Sequence, residues 1–418
     1  MPYIKRNIEK VFKEMENTFP VIMVTGPRQV GKTTLLKELI ENKRINYVTL
    51  DNLDARALAK EDPELFLRTY ETPLIIDEFQ YAPNILSYIK IKVDEKRQEK
   101  LKDDNVKVNG LFYLTGSQAF EIMEETSESL AGRVGVLDLY TLSNREINGL
   151  EGKMFLPDLK LLKERKKTKI LTTSNLFEKI LNGGYPEILV NKEMDRTKFF
   201  DSYIRTYIER DIRKLINVQD EIKFYRFIGN IAARTAQELN MTDICKDIGI
   251  TNTTGEKWLS ILVNTGLVFL LQPYSNNTVA RIVKRPKIYM TDTGLSCYLA
   301  GYLDSLTLEK SAYNGAIFET YVITEILKSF SNNGKDARKY LYYYRDNNGK
   351  EIDLLIIYDN VVYPIEIKKG ASPKIDATKN FDVVKKFGMQ VGNGGVICMK
   401  QDIFPIDKDN NYIPVEYL

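Results

Sequence analysis

The sequence predicts an α/β protein whose first domain is a parallel sheet with helices on both faces. Three observations predict this class. Short apolar runs alternate with amphipathic stretches over residues 1–155, and the same alternation returns over residues 306–418. Residues 156–305 between them have mostly helical periodicity. We therefore expect three domains: an α/β domain, a helical and winged-helix-like region, and a second α/β domain.

The composition excludes several classes of catalytic and metal-binding site. The chain has 418 residues and no histidine, which excludes Ser-His and Cys-His nucleophile pairs and His-ligated metals. Lysine and arginine (60) nearly balance aspartate and glutamate (57), so bulk charge predicts no nucleic-acid or membrane partner. The three cysteines form no CxxC pair and no apolar window is long enough to span a membrane, so we expect a cytoplasmic protein without membrane contact.

Three apolar runs are the predicted strands of the first domain: Val21–Thr25, Leu74–Asp77 and Leu111–Thr115. Each ends in a polar residue. In open parallel sheets the carboxyl ends of the strands form the ligand-binding edge, so these polar residues are predicted to lie together.

A phosphate-binding motif follows the first strand. The residues from Gly26 to Thr33 match GxxxxGK[ST] and lead into a predicted helix, which is the context that a P-loop requires. Glycines let backbone N–H groups approach phosphate oxygens, and the helix N-terminus favours the anion. The predicted nucleotide-binding residues are Gly26, Pro27, Arg28, Gln29, Val30, Gly31, Lys32, Thr33 and Thr34.

The ends of the other two strands supply the remaining groups of an ATP-hydrolysing site. Asp77 and Thr33 are predicted to hold Mg²⁺, and Glu78 to polarise the attacking water. Ser117 follows the third strand and is predicted to sense the γ-phosphate. No [NT]KxD sequence follows, which favours ATP over GTP. Arg133 is either a charge-stabilising finger or an ordinary salt-bridged arginine.

The middle and last segments have their own signals. A basic stretch within 151–169 marks a boundary. Residues 241–290 read as a winged helix: two helices about a turn at Gly249, then two strands. Lys257 is the one basic residue early in the second helix, so DNA reading and simple packing both stay open.

A second acidic constellation lies near the C-terminus. A two-residue turn at Asp359-Asn360 would set Asp353 opposite Glu366, with Lys368 on the same face. Opposed carboxylates repel unless a cation lies between them, so a metal site with Glu319 as a further ligand or acid–base group is one hypothesis. A charged ladder with an Asp353–Lys368 ion pair is the other.

Together these motifs resemble the prokaryotic AAA-type ATPases of the STAND-like group, whose C-terminal portion looks like a PD-(D/E)xK restriction-endonuclease fold. The matching stretches are 25–34, 75–78, 114–118, 129–133, 206–211 and 287–294, with Glu319, Asp353 and Glu366-Ile367-Lys368. Ile352 stands where that nuclease pattern usually has proline. The resemblance implies an ATP-hydrolysing core and a nuclease-like tail.

Two functional hypotheses follow. In the first, Mg²⁺-dependent ATP hydrolysis controls a DNA-associated, nuclease-like C-terminal module, with Asp353 and Glu366 as metal ligands and Lys368 aiding attack. In the second, the protein is an ATP-dependent switch that recruits a protein partner or another copy of itself, and its C-terminal domain is catalytically inactive.

Overall fold

The computed structural model of the protein describes residues 3–40, 44–116, 130–169, 172–207, 221–275, 285–373 and 375–418. The chain forms two compact units, the first mainly residues 5–140 and the second mainly residues 141–263 and 267–418. The division into three domains stays a prediction.

The first unit is built on a five-stranded sheet in the order β2-β3-β4-β1-β5, all of whose neighbours are parallel. Its strands are β1 (Val21–Thr25), β2 (Asn46–Thr49), β3 (Leu74–Asp77), β4 (Phe112–Thr115) and β5 (Val134–Asp138). Its helices are α1 (Glu9–Glu16), α2 (Lys32–Ile40), α3 (Leu53–Glu61), α4 (Pro63–Thr69) and α5 (Ile85–Lys100). The predicted parallel α/β class is confirmed.

The burial of each strand explains why the sequence pattern predicted some strands of this sheet and missed others. Every residue of β1, β3 and β4 is buried, as expected for central strands covered on both faces. In β2, by contrast, only Val48 is buried, because β2 is an edge strand. Strands β2 and β5 were therefore missed among the apolar runs.

The second unit contains a helical part. Its helices are α6 (Asn144–Ile147), α7 (Leu159–Glu164), α8 (Thr173–Asn182), α9 (Pro186–Val190), α10 (Arg196–Tyr207), α11 (Glu221–Ala233), α12 (Met241–Ile248), α13 (Asn252–Asn264), α14 (Thr293–Leu299), α15 (Ser305–Lys310) and α16 (Asn314–Ser331). The predicted helix, turn and helix near residue 249 are α12, Gly249 and α13, and Gly249 ends α12 in the left-handed conformation with φ 74°. Part of the 206–211 stretch lies outside the described residues.

The second unit also contains a ten-stranded mixed sheet. Its strands are β6 (Gln237–Glu238), β7 (Val268–Pro273), β8 (Lys287–Met290), β9 (Leu341–Arg345), β10 (Glu351–Tyr358), β11 (Val361–Ile367), β12 (Gln390–Val391), β13 (Gly394–Cys398), β14 (Phe404–Pro405) and β15 (Asn410–Pro414). Nine of them follow the order β14-β15-β13-β11-β10-β9-β7-β8-β6, and β12 pairs with β11. Because β7 pairs with β9, strands from before and after residue 306 share one sheet.

The β10–β11 hairpin has the predicted register, with pairs from Leu354↔Ile365 to Tyr358↔Val361. Its turn residues Asp359 and Asn360 both have positive φ, 49° and 61°, as a tight two-residue hairpin turn requires. On the other edge of β10, the pairing with β9 shifts between Ile352 and Leu355. This bulge contains Asp353 and bends the strand at the predicted acidic site.

Within the described parts of the chain, no helix has both the length and the apolar character needed to cross a membrane.

Candidate functional site

The loop after β1 has the backbone shape of a phosphate cradle. Gly26 has φ 132°, and a Cβ at this position would lie 2.1 Å from the carbonyl oxygen of Leu139, so only glycine fits. Gln29 and Gly31 also have positive φ, 58° and 93°. The chain therefore curls tightly before α2 begins at Lys32, as an anion-binding loop at a helix N-terminus does.

The other loop residues divide between the core and the open side. Val30 is fully buried, and Thr34 is exposed on the first turn of α2. The Lys32 side chain turns back into the loop, where its Nζ donates to the carbonyl oxygens of Gly26 (2.9 Å) and Pro27 (2.8 Å). Lys32 is only 8% exposed, so its ammonium lies inside the curl of the loop.

A buried carboxylate at the end of β3 faces the loop. The Thr33 hydroxyl donates to both carboxylate oxygens of Asp77, at 3.1 Å each. The hydroxyl of Thr115 at the end of β4 donates to Oδ1, and the Tyr47 hydroxyl from β2 donates to Oδ2 at 2.9 Å. Three hydroxyl donors from separate elements thus converge on Asp77.

Glu78, the next residue, has an uncommon backbone. Its φ of 56° and ψ of 41° lie in the left-handed region, which non-glycine residues rarely adopt outside turns and functional sites. The amide of Gln80 donates to its carboxylate. Burial raises the pKa of Glu78, and the positive charges of Arg28 and Lys32 act against that rise. The carboxylate is thus partly buried and faces two cations of the loop.

Arg6 braces the phosphate loop, although the sequence motifs do not point to it. Its guanidinium donates to the carbonyl oxygens of Val30 (2.9 Å) and Tyr140 (2.7 Å), and Arg6 is only 4% exposed. The contact joins the N-terminal segment to the loop and to the chain after β5. No local pattern could have revealed it, because Arg6 lies 24 residues from Val30.

Arg133, for which a finger and a salt-bridged arginine were the two alternatives, lies far from the phosphate loop of its own chain. Its carbonyl accepts from the N–H of Val21, the first residue of β1, whereas the phosphate loop follows the last residue of that strand. A five-residue strand is about 16 Å long, so Arg133 lies at the opposite edge of the sheet and cannot reach phosphates bound by its own chain. Its guanidinium instead forms a bidentate pair with Asp94, at 2.9 and 2.8 Å.

Ser117, the predicted γ-phosphate sensor, lies outside the described residues. The donor set that is described suits a nucleotide with Mg²⁺. A hydroxyl and a carboxylate, the oxygen ligands that Mg²⁺ prefers, lie within hydrogen-bond distance of each other beside the loop. Thr33 and Asp77 would hold the ion, and the loop that only glycine permits at position 26 would hold the phosphates.

The second unit brings the predicted C-terminal set together. Asp353 and Glu366 lie across the β10–β11 hairpin, and Asp353 Oδ2 also accepts from the N–H of Ile367 at 2.8 Å. The Lys368 ammonium lies 2.6 Å from Glu366 Oε1 and 3.5 Å from Asp353 Oδ2. The ion pair of the alternative hypothesis is present, but Asp353 is only 8% exposed and is no member of a solvent-facing ladder.

Two residues from β8 that the predictions did not assign join this cluster. Lys287 Nζ lies 3.3 Å from Glu319 Oε1 on α16 and 2.7 Å from Glu351 Oε1 on β10. The Tyr289 hydroxyl donates to the same Glu319 oxygen at 2.7 Å. Residues 287 and 289 share one face of the strand because side chains alternate. Once β8 is recognised, the sequence therefore predicts that Lys287 and Tyr289 point to the same side of the sheet.

Burial and neighbouring charges act against each other in this cluster. Burial and the neighbouring charge of Asp353 raise the pKa of Glu366 to about 7, against the opposing effect of Lys368. Burial likewise raises the pKa of Glu319 to about 7, with Lys287 opposing. Burial favours the neutral amine of Lys287, but the charges of Glu319, Asp353 and Glu351 prevail and raise its pKa. Among the residues that the structure describes, no three acidic or sulfur side chains are close enough to hold a metal together.

Three family models match successive parts of the chain. Residues 18–148 match a model described as an AAA domain. This part of the chain is therefore similar to AAA domains. Residues 173–306 and 314–418 match two domains of unknown function, DUF8612 and DUF4143. All residues of the loop, Asp77 and Glu78 lie within the residues that match the AAA model.

The relatives and solved structures that match most of the chain share little sequence identity with it. The chain is 26% identical over 404 residues to the uncharacterized proteins Rv2008c of Mycobacterium tuberculosis and Mb2031c of Mycobacterium bovis, covering 96% of this chain and 81% of each relative. The Walker-type ATPase PABY2304 of Pyrococcus abyssi is 14% identical with a TM-score of 0.42, covering 71% of this chain and 96% of that one. The ORC2 protein of Aeropyrum pernix, in ADPNP–ADP complexes, is 14% identical with a TM-score of 0.34, covering 72% of this chain and 90% of that one.

Proposed function

We propose that the protein hydrolyses ATP with Mg²⁺ in its AAA domain. One observation carries this proposal: the phosphate-loop hydroxyl of Thr33 bonds the buried carboxylate of Asp77, and the partly buried carboxylate of Glu78 follows directly. A metal ligand pair and a candidate base thus stand beside a loop shaped for phosphates. The hydrogen-bonded contact supports hydrolysis more strongly than a loop motif alone.

In this proposal each group has a separate task. The loop N–H groups and Lys32 bind the phosphates, and Thr33 and Asp77 would hold Mg²⁺, which would supply positive charge beside the phosphates. Glu78 orients the attacking water and accepts its proton, a role that its raised pKa favours because a base is most effective when its pKa lies close to the working pH. Ser117 as γ-phosphate sensor stays a prediction.

The test is steady-state ATP hydrolysis by the full chain and by Glu78→Gln. Glutamine keeps the shape and the contact with Gln80 but cannot accept a proton. We expect hydrolysis to fall about 10²- to 10⁴-fold, with affinity for a fluorescent ATP analogue retained. Glu61→Gln, an exposed acid at the end of α3, is the control and should hydrolyse ATP like the wild type. Undiminished turnover in Glu78→Gln would refute the assigned base.

We propose metal-dependent cleavage of DNA phosphodiesters, controlled by the ATPase, as a second candidate function. It is supported by the convergence of Asp353, Glu366 and Lys368 beside a strand bulge, with Glu319 close enough to Asp353 to feel its charge. Here the two hairpin carboxylates would hold the metal, and Lys368 would stabilise the charge of the attacked phosphate.

Nicking of supercoiled plasmid with Mg²⁺ or Mn²⁺ tests this second function, and Lys368→Met should abolish it. Lys385→Met is the matched control, because Lys385 is an exposed lysine of the same unit paired with Asp382. ATP hydrolysis that DNA accelerates would connect the two functions. No nicking with either metal, together with hydrolysis indifferent to DNA, would favour the switch that recruits a protein partner or another copy of itself.

A further inference from the structure

Tyr47 connects the open edge of the first sheet to the buried centre of the ATPase site. It lies on the edge strand β2 and is 37% exposed, yet its hydroxyl reaches inward to Asp77 Oδ2 at 2.9 Å. The parallel pairing of β2 with β3, in which Thr49 is opposite Asp77, brings the two residues within reach. None of the sequence motifs includes Tyr47.

Asp77 depends on such donors because it is only 7% exposed. A buried carboxylate must have its oxygens satisfied by hydrogen bonds. Thr33 is shared between both oxygens, Thr115 serves Oδ1, and Tyr47 serves Oδ2. Without the Tyr47 hydroxyl, Oδ2 would lose the one of these three donors that it does not share with Oδ1, and the orientation of the carboxylate would be less firmly fixed.

The ring of Tyr47 has surroundings that do not involve its hydroxyl. The ring itself lies under the ammonium of Lys37, 4.5 Å from the ring centroid. Tyr47 also lines an open groove of about 480 Å³, together with Leu58 and Tyr70. Removing only the hydroxyl should therefore leave the ring where it is.

We propose that Tyr47 is a positioning residue that fixes the orientation of the Asp77 carboxylate for Mg²⁺ binding. This inference rests on the proposed function, in which Asp77 serves the metal. Hydrogen-bond partners of metal-ligating groups set the orientation of the ligand, and their loss typically weakens metal binding about 10- to 100-fold. Tyr47 touches neither the phosphate loop nor Glu78 through any of these contacts, so its effect should be specific to the metal.

The experiment compares the full-length wild type with Tyr47→Phe, and Tyr70→Phe is the matched control because Tyr70 lines the same groove. Binding of a fluorescent ADP analogue is titrated in EDTA and over a series of Mg²⁺ concentrations, and ATP hydrolysis is followed over the same series. For Tyr47→Phe we expect about 10-fold more Mg²⁺ at half-saturation in both titrations. Affinity in EDTA and the thermal unfolding midpoint should match the wild type.

Two results would overturn the inference: an unchanged Mg²⁺ dependence in Tyr47→Phe, or an equal loss of affinity in EDTA, which would make Tyr47 a structural or nucleotide-contacting residue. A Tyr70→Phe variant with the same Mg²⁺ shift would also overturn it. If the wild type binds the analogue but hydrolyses no ATP, the proposed function fails, and the binding titration alone decides the role of Tyr47.

Discussion

Replacing Glu319 with glutamine tests whether the buried carboxylates of the second unit destabilise the fold at neutral pH. Both donors to Glu319, Lys287 Nζ and the Tyr289 hydroxyl, reach its Oε1 atom. A glutamine carbonyl oxygen in the same place keeps both contacts. Glu319→Gln therefore imitates the protonated side chain with little change in packing.

The sign and size follow from the pKa of Glu319, which burial raises to about 7 from an ordinary value of 4.5. Between these values the folded chain binds more protons than the unfolded chain, so the free energy of unfolding falls as pH rises from about 4.5 to about 7. Each pKa unit corresponds to about 1.4 kcal/mol, so the loss is at most about 3.5 kcal/mol. Glutamine does not titrate, so the free energy of unfolding of Glu319→Gln should not fall in this way.

Urea unfolding at pH 5 and pH 8 measures the effect. The single tryptophan, Trp258, is buried in the same unit and reports its unfolding by fluorescence. We expect Glu319→Gln to be more stable than the wild type at pH 8 by about 1–3 kcal/mol, and by much less at pH 5. A variant that is less stable than the wild type at pH 8 would refute the reasoning, because the ion pair with Lys287 would then outweigh burial.

Two further predictions concern the phosphate loop. Gly26→Ala should abolish nucleotide binding, because its Cβ would meet the Leu139 carbonyl at 2.1 Å; a fluorescent-nucleotide titration checks this, and Gly315→Ala, which meets nothing within 4 Å, is the control. Arg6→Lys should weaken nucleotide affinity about 10- to 100-fold, because the two carbonyls accept from separate guanidinium nitrogens of Arg6 and the shorter lysine side chain cannot span both; a hydrogen bond to a charged group contributes about 1.5–3 kcal/mol. Normal binding by Gly26→Ala, or unchanged affinity in Arg6→Lys, would contradict the assigned role of the loop contacts.

The features that could be predicted from the sequence are those formed by residues close together in the chain. The phosphate loop is contiguous, and its glycine positions follow from backbone geometry that any such loop must adopt. The register of the β10–β11 hairpin follows from a two-residue turn, so the approach of Asp353 to Glu366 could be predicted by counting. In both cases the partners are joined by a short stretch of chain with few conformations.

The missed contacts depend on which strands are neighbours. Tyr47 reaches Asp77 only because β2 lies beside β3, and strand order is not encoded in the periodicity of either strand. Lys287 reaches Glu319 because β8 lies under α16, and these elements are separated in the chain by two helices. Exposed edge strands such as β2 also lack the apolar run that makes a strand recognisable.

The pairing of β7 with β9 has a practical consequence for dissecting the protein. A fragment that starts at residue 306 would carry β9 without its parallel neighbour β7, leaving backbone groups of β9 such as the Tyr343 carbonyl, which accepts from the N–H of Tyr274, open to solvent. Unpaired edges of this kind recruit other chains and aggregate. The same cut would remove Lys287 and leave Glu319 and Glu351 without their shared cation. Expression of the C-terminal half should therefore begin before β6, so that the sheet is kept whole.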